Sequence, residues 1–143
     1  MLFALTVGGG ASLFNIAVHS AAIAVMARMA RAHATNGSRR RAMVRLMVVM
    51  AIALAVLMLA HTFEIWIWSL LYDLLGVAPE GANNFTFAFV NYTTLGYGNV
   101  VPMPRWEVLG PMTAMNGVLL FGLSTAVLFQ ILAVSSRELH ISI

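Results

Sequence analysis

The chain has 143 residues, of which 61% are apolar and 9% are charged, with a formal net charge of +3. Soluble domains carry about 25% charged residues, so this composition excludes an ordinary soluble domain and indicates one small all-α membrane protein. Cysteine is absent, which excludes disulfides and thiolate metal sites. Catalytic triads, phosphate-binding glycine loops and metal clusters do not occur at useful spacing, so we predict neither enzymatic activity nor an organic cofactor.

Three runs are long and apolar enough to cross a membrane, which takes about 20 residues. They cover residues 2–27, residues 46–72 with Glu64 as the only formal charge, and residues 108–134. The first run is not a secretory signal, because no positive charge precedes it and arginines follow it. The predicted organisation is an N-terminal transmembrane helix in 1–30, a basic loop in 31–45, a second domain in 46–135 and a tail in 136–143.

The eight basic residues are all arginine, and six of them lie between Arg28 and Arg45. The positive-inside rule places this loop in the cytoplasm, so the N-terminus is outside and the C-terminus cytoplasmic, as in a multi-pass protein of the cell (inner) membrane. Because topology explains the arginines, we predict neither a voltage sensor nor nucleic acid binding. Anionic lipid headgroups are the expected contacts of the central arginines of the loop, Arg39, Arg40 and Arg41.

Ionisable side chains inside a membrane are functional candidates, and the second run contains His61 and Glu64. At 1.5 Å per residue, Glu64 lies about 28 Å beyond Arg45. We expect it to be held by a polar neighbour on the first helix or on the short helix described next; an ordinary interhelical hydrogen bond is the alternative. A haem between His19 and His61 is disfavoured, because their depths, counted from the arginines, differ by about 11 Å.

Residues 73–107 are too polar to span. Asn83 and Asn84 are suitable N-caps for a short apolar helix that ends near Tyr92. The chain then reads Thr-Thr-Leu-Gly-Tyr-Gly over 93–98. Non-helical backbone is tolerated at membrane depth only where it is buried in protein or lines a watery cavity. The Gly-x-Gly pattern therefore indicates that the backbone itself is the functional surface.

This segment resembles the selectivity filter of the potassium channels, and residues 83–92 resemble their pore helix. The run GVLLFGLSTAVL from Gly117 is similar to the inner helix of two-helix bacterial potassium channels, including its hinge glycine. The resemblance covers about residues 43–135 and leaves the first helix outside. It implies an outer helix in 46–72, a re-entrant pore helix and filter in 83–99, and an inner helix in 108–135.

The physics of potassium conduction fits the filter residues. Carbonyls of Thr94, Leu95, Gly96 and Tyr97 can replace the hydration shell of K⁺ if successive residues alternate in backbone handedness. Gly96 and Gly98 fall at alternate positions, and glycine takes positive φ at little cost. Leu95 and Tyr97 are then expected to turn their side chains into the protein. One chain supplies one strand, so coordination of K⁺ on all sides requires a homotetramer.

Three residues depart from the family pattern, and one of them is a mild change, because Leu95 replaces the commoner valine or isoleucine. Asn99 stands where an aspartate is common, and Phe87 stands where many relatives have a tryptophan that can donate a hydrogen bond to the tyrosine of the filter. Asn91 or Tyr92 would then have to brace the filter. These departures leave a weakly selective cation channel as the alternative to a potassium channel. The full set of expected filter supports is Thr93, Asn99, Phe87, Val90, Asn91 and Glu64.

The third predicted helix supplies the expected cavity and gate. Val118, Phe121, Thr125 and Phe129 recur at spacings of three and four and share one face, which the resemblance turns toward the cavity. Ordinary helix packing is the alternative. Three further positions stay open: Gly117 and Gly122 are either bending points or sites of close helix contact, and Asn116 either faces the cavity or bonds to the pore helix.

Overall fold

The computed structural model describes residues 1–32 and 39–138, with side chains described over 1–29 and 43–134. The predicted lipid contacts of Arg39, Arg40 and Arg41 fall outside the described side chains. Every regular element in the described part is helical, which confirms the all-α fold class. The elements are α1 Leu2–Ala32, α2 Arg39–Leu75, α3 Asn84–Tyr92, a short 3₁₀ turn Pro104–Trp106 and α4 Leu109–Glu138.

Three helices are long and apolar enough to cross a membrane, over Leu2–Met29, Met43–Leu75 and Pro104–Val134. Of the full helices α1, α2 and α4, the shortest is α4, which has 30 residues. At 1.5 Å per residue it is about 45 Å long, more than the roughly 30 Å hydrocarbon layer. Only 17–22% of the most apolar window in each span is buried inside the chain. Most of their surface is therefore left for lipid or for other copies of the chain.

The end of α2 and the start of α3 are both defined by capping hydrogen bonds. Gly76, with φ of 59°, ends α2: the Val77 N–H donates to the Tyr72 carbonyl, and the Gly76 N–H donates to Asp73, as in a Schellman cap. At the start of α3, the side chain of Asn83 accepts a hydrogen bond of 2.8 Å from the Thr86 N–H. The predicted N-cap at Asn83 is thus confirmed, and α3 turns back from α2 within a few residues.

Apolar side chains form two separate clusters. The larger surrounds α3 and includes Trp68, Tyr72, Phe87 and Leu109. The smaller joins α1, α2 and α4 near their other ends, through the side chains Met26, Ala53, Leu57 and Ile131. Along each long helix, the polar side chains described below lie between these two clusters.

The register of α1 against α2 corrects the depth comparison made from the sequence. Met26 clusters with Ala53 and Leu57, and the rings of His19 and His61 lie 5.0 Å apart. Arg28 and Arg45 therefore do not mark the same depth, because α2 extends about two turns farther at this end. The depth argument against a haem was wrong.

Candidate functional site

The helix α3 ends in an extended segment whose first residues stay bonded to it. The Thr93 N–H donates to the Phe89 carbonyl, and the N–H of Leu95 donates to the Val90 carbonyl at 3.0 Å. The Thr93 hydroxyl donates to Phe89 as well. The Thr94 N–H donates to the Asn91 carbonyl, so the first three residues of Thr-Thr-Leu-Gly-Tyr-Gly are fixed relative to the helix.

Backbone handedness alternates through this segment. Thr94, Gly96 and Gly98 have φ values of 59°, 57° and 78°, whereas the intervening Leu95 and Tyr97 keep negative φ. Such alternation turns successive carbonyls to the same side of the segment. In an ordinary β-strand, by contrast, successive carbonyls point to opposite sides. Glycine takes this conformation freely, but in Thr94 it costs about 1–2 kcal/mol.

The side chains of Leu95 and Tyr97 do not turn into their own chain. Leu95 is 56% exposed and Tyr97 is 70% exposed in the single chain, so the expectation that they turn into the protein stays a prediction for an assembly of several copies. Phe87 is buried and packs on the Tyr72 ring at 5.4 Å. Any bracing of Tyr97 has to come from outside the described part of this chain.

Asn91 ties α3 to α2 and α4. Its amide donates to the Tyr72 hydroxyl at 3.2 Å, Tyr72 lies 2.7 Å from the Thr113 hydroxyl, and Thr113 donates to the Leu109 carbonyl. Each of the two hydroxyl groups in this chain of bonds therefore accepts one hydrogen bond and donates one. The Asn91 amide is directed at Tyr72 and so fixes α3 within this chain, while its expected role in bracing the filter stays a prediction.

A buried polar cluster lies behind the end of α3. We define it as His19, His61, Glu64, Tyr92 and Ser124, which come from all four α-helices and are at most 7% exposed. The Tyr92 hydroxyl donates to Glu64, and Glu64 lies 2.9 Å from His19. The expected polar neighbours of Glu64 on the first helix and on α3 are both present.

The sequence pattern of the ion channel family matches residues 46–134, a stretch that includes α3, the extended segment and most of α2 and α4. The chain belongs to the ion channel family. No curated protein and no solved structure matches it. The family match and the three apolar helices together show that the channel is a membrane protein. The helix α1 lies outside the residues that the family pattern covers.

The inner-helix residues of the channel divide between two faces of α4. Five of the predicted cavity and gate residues are exposed in the chain: Val118, Phe121, Gly122, Thr125 and Phe129. Asn116 is instead buried, with its side-chain oxygen accepting hydrogen bonds from Trp68 at 3.0 Å and Asn15 at 3.1 Å. Neither predicted placement of Asn116 is correct, because it faces α1 and α2.

Gly117 also leaves the exposed face. A Cβ atom at this position would lie 2.0 Å from the Tyr92 carbonyl oxygen, so α4 crosses the end of α3 at a distance that only glycine permits. This favours the close-contact alternative for Gly117. At Gly122 nothing lies within 4 Å of the added Cβ, which leaves that glycine free to serve as a bending point.

Sequence reasoning missed two members of the polar cluster. Ser124 was passed over, and His19 was considered only for a haem. The two histidine rings are bridged by Glu64 on one side and by Ser124 on the other. This leaves no space between the rings for a haem. The position of His19 inside an apolar run was the signal that could have identified it as a candidate. No spacing along the sequence could have shown that Ser124 on α4 contacts His19 on α1.

Proposed function

We propose that this channel is potassium-selective and conducts K⁺ passively through a homotetrameric pore lined by the carbonyls of Thr94, Leu95, Gly96 and Tyr97. The observation that carries the proposal is the alternation of backbone handedness at 94, 96 and 98. A strand that presents every carbonyl on one side offers oxygens in place of the hydration shell of K⁺. The partial negative charge at the C-terminal end of α3 favours a cation nearby.

The exposure of the filter side chains supports assembly from several copies. Leu95 and Tyr97 are large apolar groups that are more than half exposed, and a neighbouring copy can cover them. One chain contributes one row of carbonyls, so four chains are needed to surround an ion. Potassium ions in the filter are then the bound ligands of the assembly.

Two features favour the alternative, a weakly selective cation channel of the same fold. Asn99 offers no carboxylate beside Gly98, and the Tyr97 side chain has no brace within the described part of the chain. A filter that is held loosely can adjust its carbonyl positions to the smaller Na⁺ ion and so lose its preference for K⁺. The choice between the two functions therefore depends on how neighbouring copies hold Tyr97.

The basic loop supports an orientation with the N-terminus outside and the filter segment on the outer side. Because the chain has no cysteine, a single cysteine placed at Gly81 tests this orientation. An impermeant maleimide added to intact cells labels it if the orientation is correct, and labelling only after permeabilisation would refute it.

Potassium flux into liposomes that contain the purified channel tests the proposed function. We expect flux of K⁺ that exceeds flux of Na⁺ and is blocked by Ba²⁺. Gly96→Ala places a side chain on a residue with φ of 57°, inside the filter, and should abolish most of the flux. Gly81→Ala is the matched control, because φ there is 81° and nothing lies within 4 Å of the added atom.

The control separates strain from conduction. Both substitutions cost about 1–2 kcal/mol of backbone strain, so both should lower the melting temperature to a similar extent. Only Gly96→Ala should stop the flux. Equal flux through wild type and Gly96→Ala would show that ions do not pass along this segment, whereas equal K⁺ and Na⁺ flux would favour the alternative.

A further inference from the structure

Two histidines and a glutamate from two helices meet at one buried point of the channel. His19 lies on α1, and His61 and Glu64 lie one turn apart on α2. The distance from His19 Nδ1 to Glu64 Oε1 is 2.9 Å, and that from His61 Nδ1 to Glu64 Oε2 is 3.1 Å. The carboxylate thus faces one nitrogen of each ring, away from solvent.

Ser124 defines where the histidines carry their hydrogens. Its hydroxyl donates to the Leu120 carbonyl at 2.9 Å and lies 2.9 Å from His61 Nε2 and 3.1 Å from His19 Nε2. A serine hydroxyl has one hydrogen and two lone pairs. Because its hydrogen goes to Leu120, both ring contacts are satisfied only if each Nε2 donates to Ser124.

Both Nδ1 atoms then direct lone pairs at the oxygens of Glu64. Each of these contacts is repulsive unless a proton or a metal cation lies between the nitrogen and the oxygen. The Tyr92 hydroxyl is near both Glu64 Oε2 and His61 Nδ1, but it has one hydrogen for the two acceptors. Two additional protons would satisfy the contacts. The two rings are close, with centroids 5.0 Å apart, so a single cation between them and the carboxylate would satisfy the same contacts.

One divalent ion satisfies both contacts while the imidazoles stay neutral, which is the form in which histidine binds metals. Adjacent ligands on a metal with bonds of about 2.0–2.2 Å are separated by roughly 3 Å, as the N–O pairs are here. Ligand atoms from the three residues all lie within 4.8 Å of one another. Ser124 on the far ring nitrogens and Tyr92 on the carboxylate are the hydrogen-bonded partners that orient metal ligands.

We propose that His19, His61 and Glu64 form a binding site for a divalent first-row transition metal such as Zn²⁺. Two imidazoles and one carboxylate suit zinc and its neighbours, whereas Mg²⁺ and Ca²⁺ prefer oxygen ligands alone. The bound ion joins α1, which lies outside the family match, to α2 and, through Tyr92 and Ser124, to α3 and α4. The metal therefore clamps the additional helix onto the channel behind the filter.

Metal titration of the purified channel tests this site without any measurement of ion flux. The protein carries His33→Gln and His140→Gln, which remove the other two histidines of the chain. After treatment with a chelator it is titrated with Co²⁺, whose visible absorption reports coordination by nitrogen and oxygen. We expect a band that saturates at one Co²⁺ per chain, disappears on addition of Zn²⁺ and does not respond to Mg²⁺.

Single substitutions assign the band to its ligands. His19→Gln, His61→Gln and Glu64→Gln should each weaken Co²⁺ binding at least 100-fold. Ser124→Ala removes only the partner of the far ring nitrogens and should weaken binding about 10- to 100-fold. Circular dichroism and gel filtration identify any variant that does not fold. X-ray absorption of the Zn²⁺ form, which needs no ligand variant, should then count two imidazoles per metal.

Three results would overturn the site. They are no saturable band in the folded background protein, a band that persists unchanged in all three folded ligand variants, and a zinc environment with fewer than two imidazoles. The first result would mean that protons alone hold the polar cluster together. None of the three depends on whether the filter selects potassium, so failure of this proposal and failure of the proposed function are distinguishable.

Discussion

Glycine has two different uses at the residue scale in this channel. In the proposed filter, Gly96 and Gly98 supply backbone of positive φ, and Thr94 takes the same conformation despite its side chain. In α4, Gly117 has ordinary helical backbone but lies so close to the Tyr92 carbonyl that a Cβ atom would not fit between them. The first use concerns where carbonyls point, and the second concerns how closely α3 and α4 approach.

Gly117→Ala should separate α4 from the end of α3. The added Cβ would lie 2.0 Å from the Tyr92 carbonyl oxygen, and such overpacking costs about 1–3 kcal/mol or more. We expect a lower melting temperature in detergent and reduced K⁺ flux. Gly122→Ala is the matched control on the same helix, since nothing lies within 4 Å of its added Cβ. Identical melting of wild type and Gly117→Ala would contradict the close contact.

At the scale of elements, α1 is attached to the channel by buried hydrogen bonds as well as by apolar contacts. Asn15 donates to Asn116 on α4 and to the Glu64 carbonyl on α2. Asn116 also accepts from Trp68 and donates to the Ser12 carbonyl at 3.4 Å. One asparagine on α4 thereby holds both α1 and α2 in register.

Replacing Asn116 with leucine should destabilise the chain because the Trp68 N–H and one of the two N–H groups of the Asn15 amide lose their acceptor inside the protein. Each unpaired buried group costs about 1–3 kcal/mol. Trp68→Phe removes one of these donors, so the leucine substitution should cost less in that background. Thermal melting of the two single variants and the double variant measures this coupling. Strictly additive effects would show that the Trp68 hydrogen bond contributes nothing.

The elements that follow from local rules could be predicted from the sequence, and their mutual register could not. Three long apolar runs are sufficient to place three spans, and Asn83 is an N-cap whose side chain bonds within one turn. The pairing of His19 with Glu64 depends on how far α1 slides along α2, which arginine positions do not determine. Asn116 shows the same limit, because periodicity defines a helix face but not which neighbour covers it.

At the scale of the whole molecule, a single chain leaves much of its apolar surface uncovered. Only 17–22% of the most apolar window in each span is buried, and the large side chains of the filter segment point away from their own chain. Lipid can cover the spans. In the proposed pore, the carbonyls of one chain reach an ion from one direction, and other copies of the chain supply the remaining directions.

Native mass spectrometry from detergent should therefore detect a complex of four times the 15.5 kDa chain mass. Tyr97→Ala removes a side chain that is 70% exposed in the single chain and that the assembly is expected to bury. We expect this variant to shift the distribution toward smaller species. A stable monomer or dimer of the wild-type channel that conducts K⁺ would rule out the tetrameric pore.

The reversal potential of the channel under bi-ionic conditions tests the central claim most directly. Planar bilayers that contain the purified channel separate equal concentrations of K⁺ and Na⁺. For a filter built from the carbonyls of residues 94–97, we predict a reversal potential near the K⁺ equilibrium potential, which corresponds to a K⁺ permeability at least tenfold above that of Na⁺. A reversal potential near 0 mV would contradict potassium selectivity and establish a weakly selective cation channel.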